Sequence, residues 1–243
     1  MDPKDQALEV WGEFACFSRP ELKVERFSYP VITPSAARAI YDAIYCKPSE
    51  FRWQVTRIEI CGPPRYVALR RNEVKDKAPV KTIGDWMSGK REPEPLWADG
   101  DRDLLGNDMK GRTQRQTMAL KDVRYRLHAH VSPWPGFEDR LQAFEAQFRR
   151  RAAKGKCIYQ PYFGCREFPA YFELVEPDAP PAQTVALDAD LGLMLYDVFD
   201  LSRPGTNQSK PSISLFRAKV ENGVLVVPEY GSPEVIKSLE VHA

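Results

Sequence analysis

Two of the chain's three histidines, His128 and His130, stand one residue apart in the stretch Lys121 to Val131, KDVRYRLHAHV. Read as a strand, this stretch sends alternate side chains to opposite faces. Val123, Tyr125, Leu127, Ala129 and Val131 then make an apolar face suited to a core. Arg124, Arg126, His128 and His130 make the other face, a row of four groups able to carry positive charge. Neighbours on one strand face are ~7 Å apart, so two imidazoles there can flank a phosphodiester. Cutting RNA through its own 2′-hydroxyl needs a base for that hydroxyl, an acid for the leaving 5′-oxygen and positive charge on the phosphorane. Histidine, with a pKa near ~6.5, suits both proton transfers, and Arg or Lys suits the charge. With Arg126 and Lys121, the strand carries most of that set, and a tyrosine from elsewhere could orient or deprotonate the hydroxyl.

The elements around this strand supply the tyrosine. Leu8 to Phe17 alternates as a strand, with Gly12 as a bulge or a point of close approach. TPSAARAIYDAIY opens a helix with Thr33 as N-cap and Pro34 at its first position. Pro48 ends that helix near Cys46, leaving Tyr45 at its exit. Phe51 to Ile60 is a second strand whose phase slips, which a bulge near Thr56–Arg57 would reconcile. Residues 62–118 read as an insertion, a projecting hairpin with a short basic strand over Tyr66 to Glu73. Phe137, Leu141, Phe144 and Phe148 mark an amphipathic helix, stopped at Gly155, and Lys156 to Phe163 reads as a further strand. In this order the first helix and the histidine strand run parallel, so their C-terminal ends share one edge of the sheet. That brings Tyr45 near His130, although the helices cover the face opposite the histidines and Tyr45 must reach round the edge.

The order strand, helix, strand, strand, helix, strand is the ferredoxin-like pattern of many RNA-binding sheets. The expected fold class is therefore α+β: a ferredoxin-like, RRM-like domain over residues 1–164 carrying the 62–118 insertion, then a smaller antiparallel β-rich domain over 165–243. In the latter, PDAPPAQ (177–183) is a linker or long loop, Leu191 to Phe199 is strand-like, and Asn222–Gly223 is a hairpin turn. Ser232–Pro233 marks the start of a short terminal helix.

Composition narrows the function classes. In 243 residues, 43% are hydrophobic and 11% aromatic, enough for a folded core. No apolar run reaches the ~18 residues of a membrane span, and the N-terminus lacks the basic and apolar regions of a secretory signal. Five cysteines, an odd number without C-x-x-C spacing, point to reduced thiols in a cytoplasm. The net charge of +1 is weak for a nucleic-acid binder, but basic residues cluster: Arg112 and Arg115 precede the histidine strand, and Arg149 to Arg151 lead to Lys154 and Lys156. The run from Asp99 lacks the Gly and Glu of a calcium loop. His-x-His can also be an exposed polar face or a pair of metal ligands, but no third ligand stands at telling spacing, so neither metal nor cofactor is expected.

Four segments together carry a resemblance: EVWGEFACFSRPELKVERFSYPVITPSAAR (9–38), AIYCKPSEFRWQVTRIEI (43–60), RTQRQTMALKDVRYRLHAH (112–130) and QPYFGCREFPAYF (160–172). The chain resembles the subtype I-C CRISPR-associated Cas-five family across nearly its whole length. The resemblance implies a metal-independent endoribonuclease that cuts CRISPR repeat transcripts, stays on the 5′ handle of the guide RNA and joins the effector complex. It also implies a catalytic set of tyrosine, lysine and histidine. Tyr45 matches the tyrosine, and His130, or else His128, matches the histidine. The lysine is missing beside the histidines, where Leu127, Ala129 and Val131 stand; His128 or Arg126 would have to replace its charge. The glycine-rich loop of wider relatives is reduced to Gly164.

Three hypotheses follow. In the first, the chain is a repeat-specific nuclease with Tyr45, His128 and His130 catalytic and Arg112, Arg115, Lys121, Arg124 and Arg126 on the RNA. In the second, it is a structural subunit that holds the 5′ handle without cutting. In the third, it is a duplex-DNA binder using the 62–118 insertion.

Overall fold

The computed structural model describes residues 2–22, 24–75, 79–94, 106, 111–206 and 209–237. The chain forms two compact units, one of Met1–Val67 with Met118–Ala243 and one of Ala68–Thr117. Its strands are β1 (Gln6–Ala15), β2 (Arg26–Phe27), β3 (Phe51–Ile60), β4 (Tyr66–Val74), β5 (Arg112–Pro133), β6 (Tyr171–Val175), β7 (Ala189–Asp197), β8 (Ser214–Glu221), β9 (Val224–Val226) and β10 (Val235–Lys237). Its helices are α1 (Pro34–Ile44), α2 (Val80–Met87) and α3 (Leu141–Ala152). The central sheet runs β10-β8-β9-β3-β5-β1-β6, with β2 and β4 also on β5 and β7 on β8. The pairings of β1, β3, β5, β6, β8 and β9 along this path are antiparallel. Strands that follow residue 164 are thus hydrogen-bonded to those before it, through β9 on β3 and β6 on β1.

The local signals act where the sequence puts them. Thr33 Oγ1 accepts from the Ala36 amide at 3.3 Å, Pro34 opens α1, and Tyr45 caps its end. Ile40, Tyr41 and Ile44 are fully buried, and the Tyr41 hydroxyl lies 2.8 Å from the carbonyl oxygens of Gln6 and Leu127, fixing α1 to the sheet. The core on this side is aromatic: Trp53 meets Phe148 at 4.6 Å and Phe51 meets Phe144 at 4.9 Å between ring centroids. The bulge in β3 falls between Val55 and Arg57, which pair with Ala129 and His128. It lets Trp53 and Ile58 both face the core despite their opposite phase. Gly12 is a point of close approach, since a Cβ there would meet Pro169 O at 2.8 Å and the Phe163 ring at 2.9 Å.

Two expected elements are different. Lys156 to Phe163 is not a strand; it is a loop whose end hydrogen-bonds to Cys16 and Phe168 through the Phe163 backbone, and β6 begins at Tyr171. Phe163 is buried for packing, against Phe17 and Tyr125, which is why the segment looked strand-like. After Ser232 the chain makes a turn and then β10, not a helix. The acidic run from Asp99 lies outside the described residues, Gly106 excepted.

Candidate active site

β5 places its side chains as alternation requires. Val123, Tyr125, Leu127, Ala129 and Val131 are buried, Arg124 is exposed, and Arg126 and His130 are partly exposed. Register across the sheet then groups residues into rows on the histidine face. Tyr171, Trp11 and Arg124 are abreast on β6, β1 and β5. Glu173, Glu9, Arg126 and Glu59 form the next row, and His128 and Arg57 the one after it. His130 stands opposite Gln54.

These rows correct the expectation of a bare positive face. Arg124 and Arg126 both pair with Glu9, Arg126 at 3.6 Å. Arg126 Nη1 also donates to the Pro180 carbonyl at 2.7 Å, so the proline-rich segment after β6 covers this part of the sheet. His128 is 8% exposed. Its Nε2 lies 3.2 Å from Arg57 Nη2 and 3.3 Å from Glu59 Oε2. Burial, with help from the Arg57 charge, holds its pKa below the ordinary 6.5, against the pull of Glu59. His128 is therefore a neutral, enclosed imidazole at neutral pH.

His130 is the more accessible of the pair. Its Nε2 is 3.8 Å from Glu229 Oε1, on a side chain 57% exposed. Gln54, its register partner, is buried and held by Tyr196, with Arg52 Nη1 donating to Gln54 Oε1 at 2.5 Å. Arg52 lies opposite Ser132, on the same face as His130 by alternation.

Tyr45 is at the same end of the sheet but on its other face. Its ring packs on Phe51 at 5.4 Å, and Phe51 and Trp53 alternate with Arg52 and Gln54. Burial raises the hydroxyl's pKa, tempered by Lys47, Arg140 and Arg151. Tyr45 thus packs on the face opposite the one that carries His130. Lys121 is exposed on β5, roughly 30 Å of strand from His130 at ~3.3 Å per residue. Arg112 is exposed and Arg115 partly so, both in the unit of Ala68–Thr117.

Sequence reasoning missed the partners that other strands supply, Glu9, Arg52, Arg57 and Glu59, and Glu229 from the loop after β9. It also missed the exposed aromatic pair Trp11 and Tyr171, stacked at 6.3 Å and 29°, with the Arg124 guanidinium 6.0 Å from the Trp11 ring. Their period-two placement in two strands was visible; the register that joins them was not. Among the described residues, no group of three or more His, Cys, Asp or Glu side chains could hold a metal ion, and no helix is long and apolar enough to cross a membrane.

Comparison with known proteins places this geometry in a family. A family model described as CRISPR-associated protein (Cas_Cas5) matches residues 7–228. A relative from Mannheimia succiniciproducens is 38% identical over 234 residues, covering 94% of this chain and 96% of its own. Another, from Thermus thermophilus, is 39% identical over 248 residues, covering 97% and 96%. Both are named CRISPR pre-crRNA endoribonuclease Cas5d. The fold is shared with the crystal structure of a CRISPR-associated protein, with a TM-score of 0.60, 20% identity and 96% of each chain covered. It is shared equally with a functionally uncharacterized protein from Streptococcus mutans, with a TM-score of 0.59, 19% identity and the same coverage. With a family model spanning most of its length and two relatives near two-fifths identity, this chain belongs to the CRISPR-associated Cas5 family, in its Cas5d branch.

Proposed function

We propose that the chain is an endoribonuclease that cuts CRISPR precursor RNA, the activity named for both curated relatives, and that it cuts without a metal ion. In this reading β1-α1-β3-β5-α3-β6 is a ferredoxin-like RNA-binding core, with β6 in place of the strand expected before residue 164, residues 62–118 are an insertion and the strands from β7 onward are a β-rich C-terminal domain. The observation that carries the chemistry is the imidazole of His130 near the end of β5, partly exposed with 17% of its side chain open to solvent, beside the exposed carboxylate of Glu229.

A base takes the proton of a 2′-hydroxyl, and the freed oxygen attacks the adjacent phosphorus. The bond from phosphorus to the 5′-oxygen breaks, and that oxygen receives a proton from an acid. The products are a 2′,3′-cyclic phosphate and a 5′-hydroxyl. His130 carries one of the two proton transfers. His128, neutral and enclosed, acts by holding Arg57, whose guanidinium answers the charge the absent lysine would have supplied. Tyr45 receives the strand on the other side of the sheet end, beside Lys47, Arg140 and Arg151. Trp11 and Tyr171, with Arg124, offer bases a stacking surface, and Arg112, Arg115 and Lys121 answer backbone phosphates, while Arg126 is held by Glu9 and the Pro180 carbonyl. The product guide RNA and the other subunits of the effector complex are the partners.

A second reading, a subunit that holds the 5′ handle and never cuts, is favoured by the enclosure of His128 and the separation of Tyr45 from His130. Competition binding separates these from a duplex-DNA binder: repeat RNA should displace labelled repeat RNA with a steep salt dependence, and duplex DNA should not. Preferential displacement by duplex DNA would overturn both RNA readings.

A further inference from the structure

A pocket of about 230 Å³ lies at the C-terminal end of α1, beside the start of β3. Its walls include Phe51, Trp134 and Phe199, and its cationic groups include Arg38, Arg52 and Arg203. Arg38 is committed to the buried carboxylate of Asp197 at 2.7 Å and to Asp42, and Arg203 pairs with Asp200 at 2.9 Å. Arg52 differs from both. Its one hydrogen bond is to the neutral amide of Gln54, and it forms no ion pair among the described residues. Burial lowers its pKa, prevailing over the Glu229 carboxylate, which acts on it only from beyond ion-pair distance; a partly buried guanidinium with no carboxylate in contact is costly. An anion at the pocket would relieve that cost.

Aromatic walls beside a guanidinium suit a nucleotide: a base has a π-face for Trp134 or Phe199, and a phosphate matches the arginine fork. The volume lies below the ~300–1,000 Å³ of drug-sized sites, which fits one base and excludes paired nucleic acid. The position suits RNA. Arg52 shares the His130 face by alternation, Phe51 faces the other way, and Trp134 directly follows β5, so the pocket sits at the sheet end toward which the histidine strand runs. We propose that this pocket takes one unpaired nucleotide of the repeat RNA, extruded from its neighbours, with its base on Trp134 and Phe199 and its phosphate on Arg52. This rests on the reading of the chain as a repeat-RNA nuclease.

The test is a scan of repeat RNA with a single abasic nucleotide at each unpaired position, measured as affinity for the full chain and for Phe199→Ala and Arg52→Gln. Phe199 is 46% exposed, so its variant should fold, and melting curves check both. One position should lose ~5- to 150-fold on removal of its base, and that penalty should vanish in Phe199→Ala while penalties elsewhere persist. Arg52→Gln should weaken binding of the intact RNA and shallow its salt dependence. A flat scan, or a penalty that survives in Phe199→Ala, overturns the proposal. Arg52-dependent binding of free AMP or UMP at micromolar concentration, with a flat scan, also overturns it and assigns the pocket to free nucleotides. Failure to bind repeat RNA at all sinks the nuclease reading itself; binding with a flat scan sinks the pocket alone.

Discussion

Tyr45 and His130 stand at the same end of one sheet on opposite faces, Tyr45 over Phe51 and His130 opposite Gln54. The two groups are assigned different parts in the proposed reaction. His130→Ala should therefore lower the single-turnover cleavage rate by ~10²–10⁴-fold while repeat-RNA affinity changes little. Tyr45→Phe should cost less than about tenfold in rate, the effect of a group that positions the strand and leaves proton transfer intact. Equal losses in the two variants would mean that Tyr45 reaches the reacting phosphate.

The enclosed imidazole of His128 makes stability depend on pH. Its folded-state pKa lies below the ordinary 6.5, so the unfolded chain binds a proton more readily. The stability contribution is whole above pH ~6.5, declines as pH falls below it, and levels off once pH is beneath the lowered folded value. Thermal melting from pH 8 to pH 5 should show this decline, and His128→Gln should flatten it. An identical slope in the variant would place the titrating group elsewhere.

The buried pair of Arg38 and Asp197 joins α1 to β7. Asp197 is 1% exposed and also accepts from the amides of Val198 and Phe199. Asp197→Ala leaves a guanidinium buried without its main partner and should destabilise by ~3–5 kcal/mol, read from urea denaturation. A loss under about 1 kcal/mol, the size of an exposed pair, would show that water replaces the carboxylate.

The row Tyr171–Trp11–Arg124 yields a binding prediction. Trp11→Ala should weaken repeat RNA by ~5- to 150-fold, the effect of one lost base stack, with the salt slope unchanged because no cation is removed. Unaltered affinity would leave this aromatic pair as a surface for another protein.

The elements nearest the site were legible because their signals are local. The N-cap at Thr33, the bulge after Val55 and the two faces of β5 each follow from a few adjacent residues, and each lies where those residues put it. Phe163 misled because a single buried aromatic looks the same in a strand and in a loop tucked under β1. The site's electrostatics were not legible for a different reason. Glu9 neutralises the arginines of β5 from the neighbouring strand, Glu59 pairs with His128 from the other side, and Pro180 covers Arg126 from a segment far along the chain. Cross-strand register and the path of a proline-rich loop are tertiary facts with no periodicity to announce them. A row of positive groups on one strand therefore implied an exposed binding face that its neighbours largely close, leaving His130 at the margin.

The central claim is that an imidazole at that margin drives RNA cleavage without a metal. The direct measurement is incubation of the purified chain and of its His130→Ala variant with repeat RNA in EDTA, followed by analysis of the product ends. The account predicts a discrete cut by the unmodified chain, leaving a 2′,3′-cyclic phosphate and a 5′-hydroxyl, and ~10²–10⁴-fold slower cutting by the variant. Intact RNA, cutting that appears only with added divalent ions, or a variant as fast as the unmodified chain would contradict it.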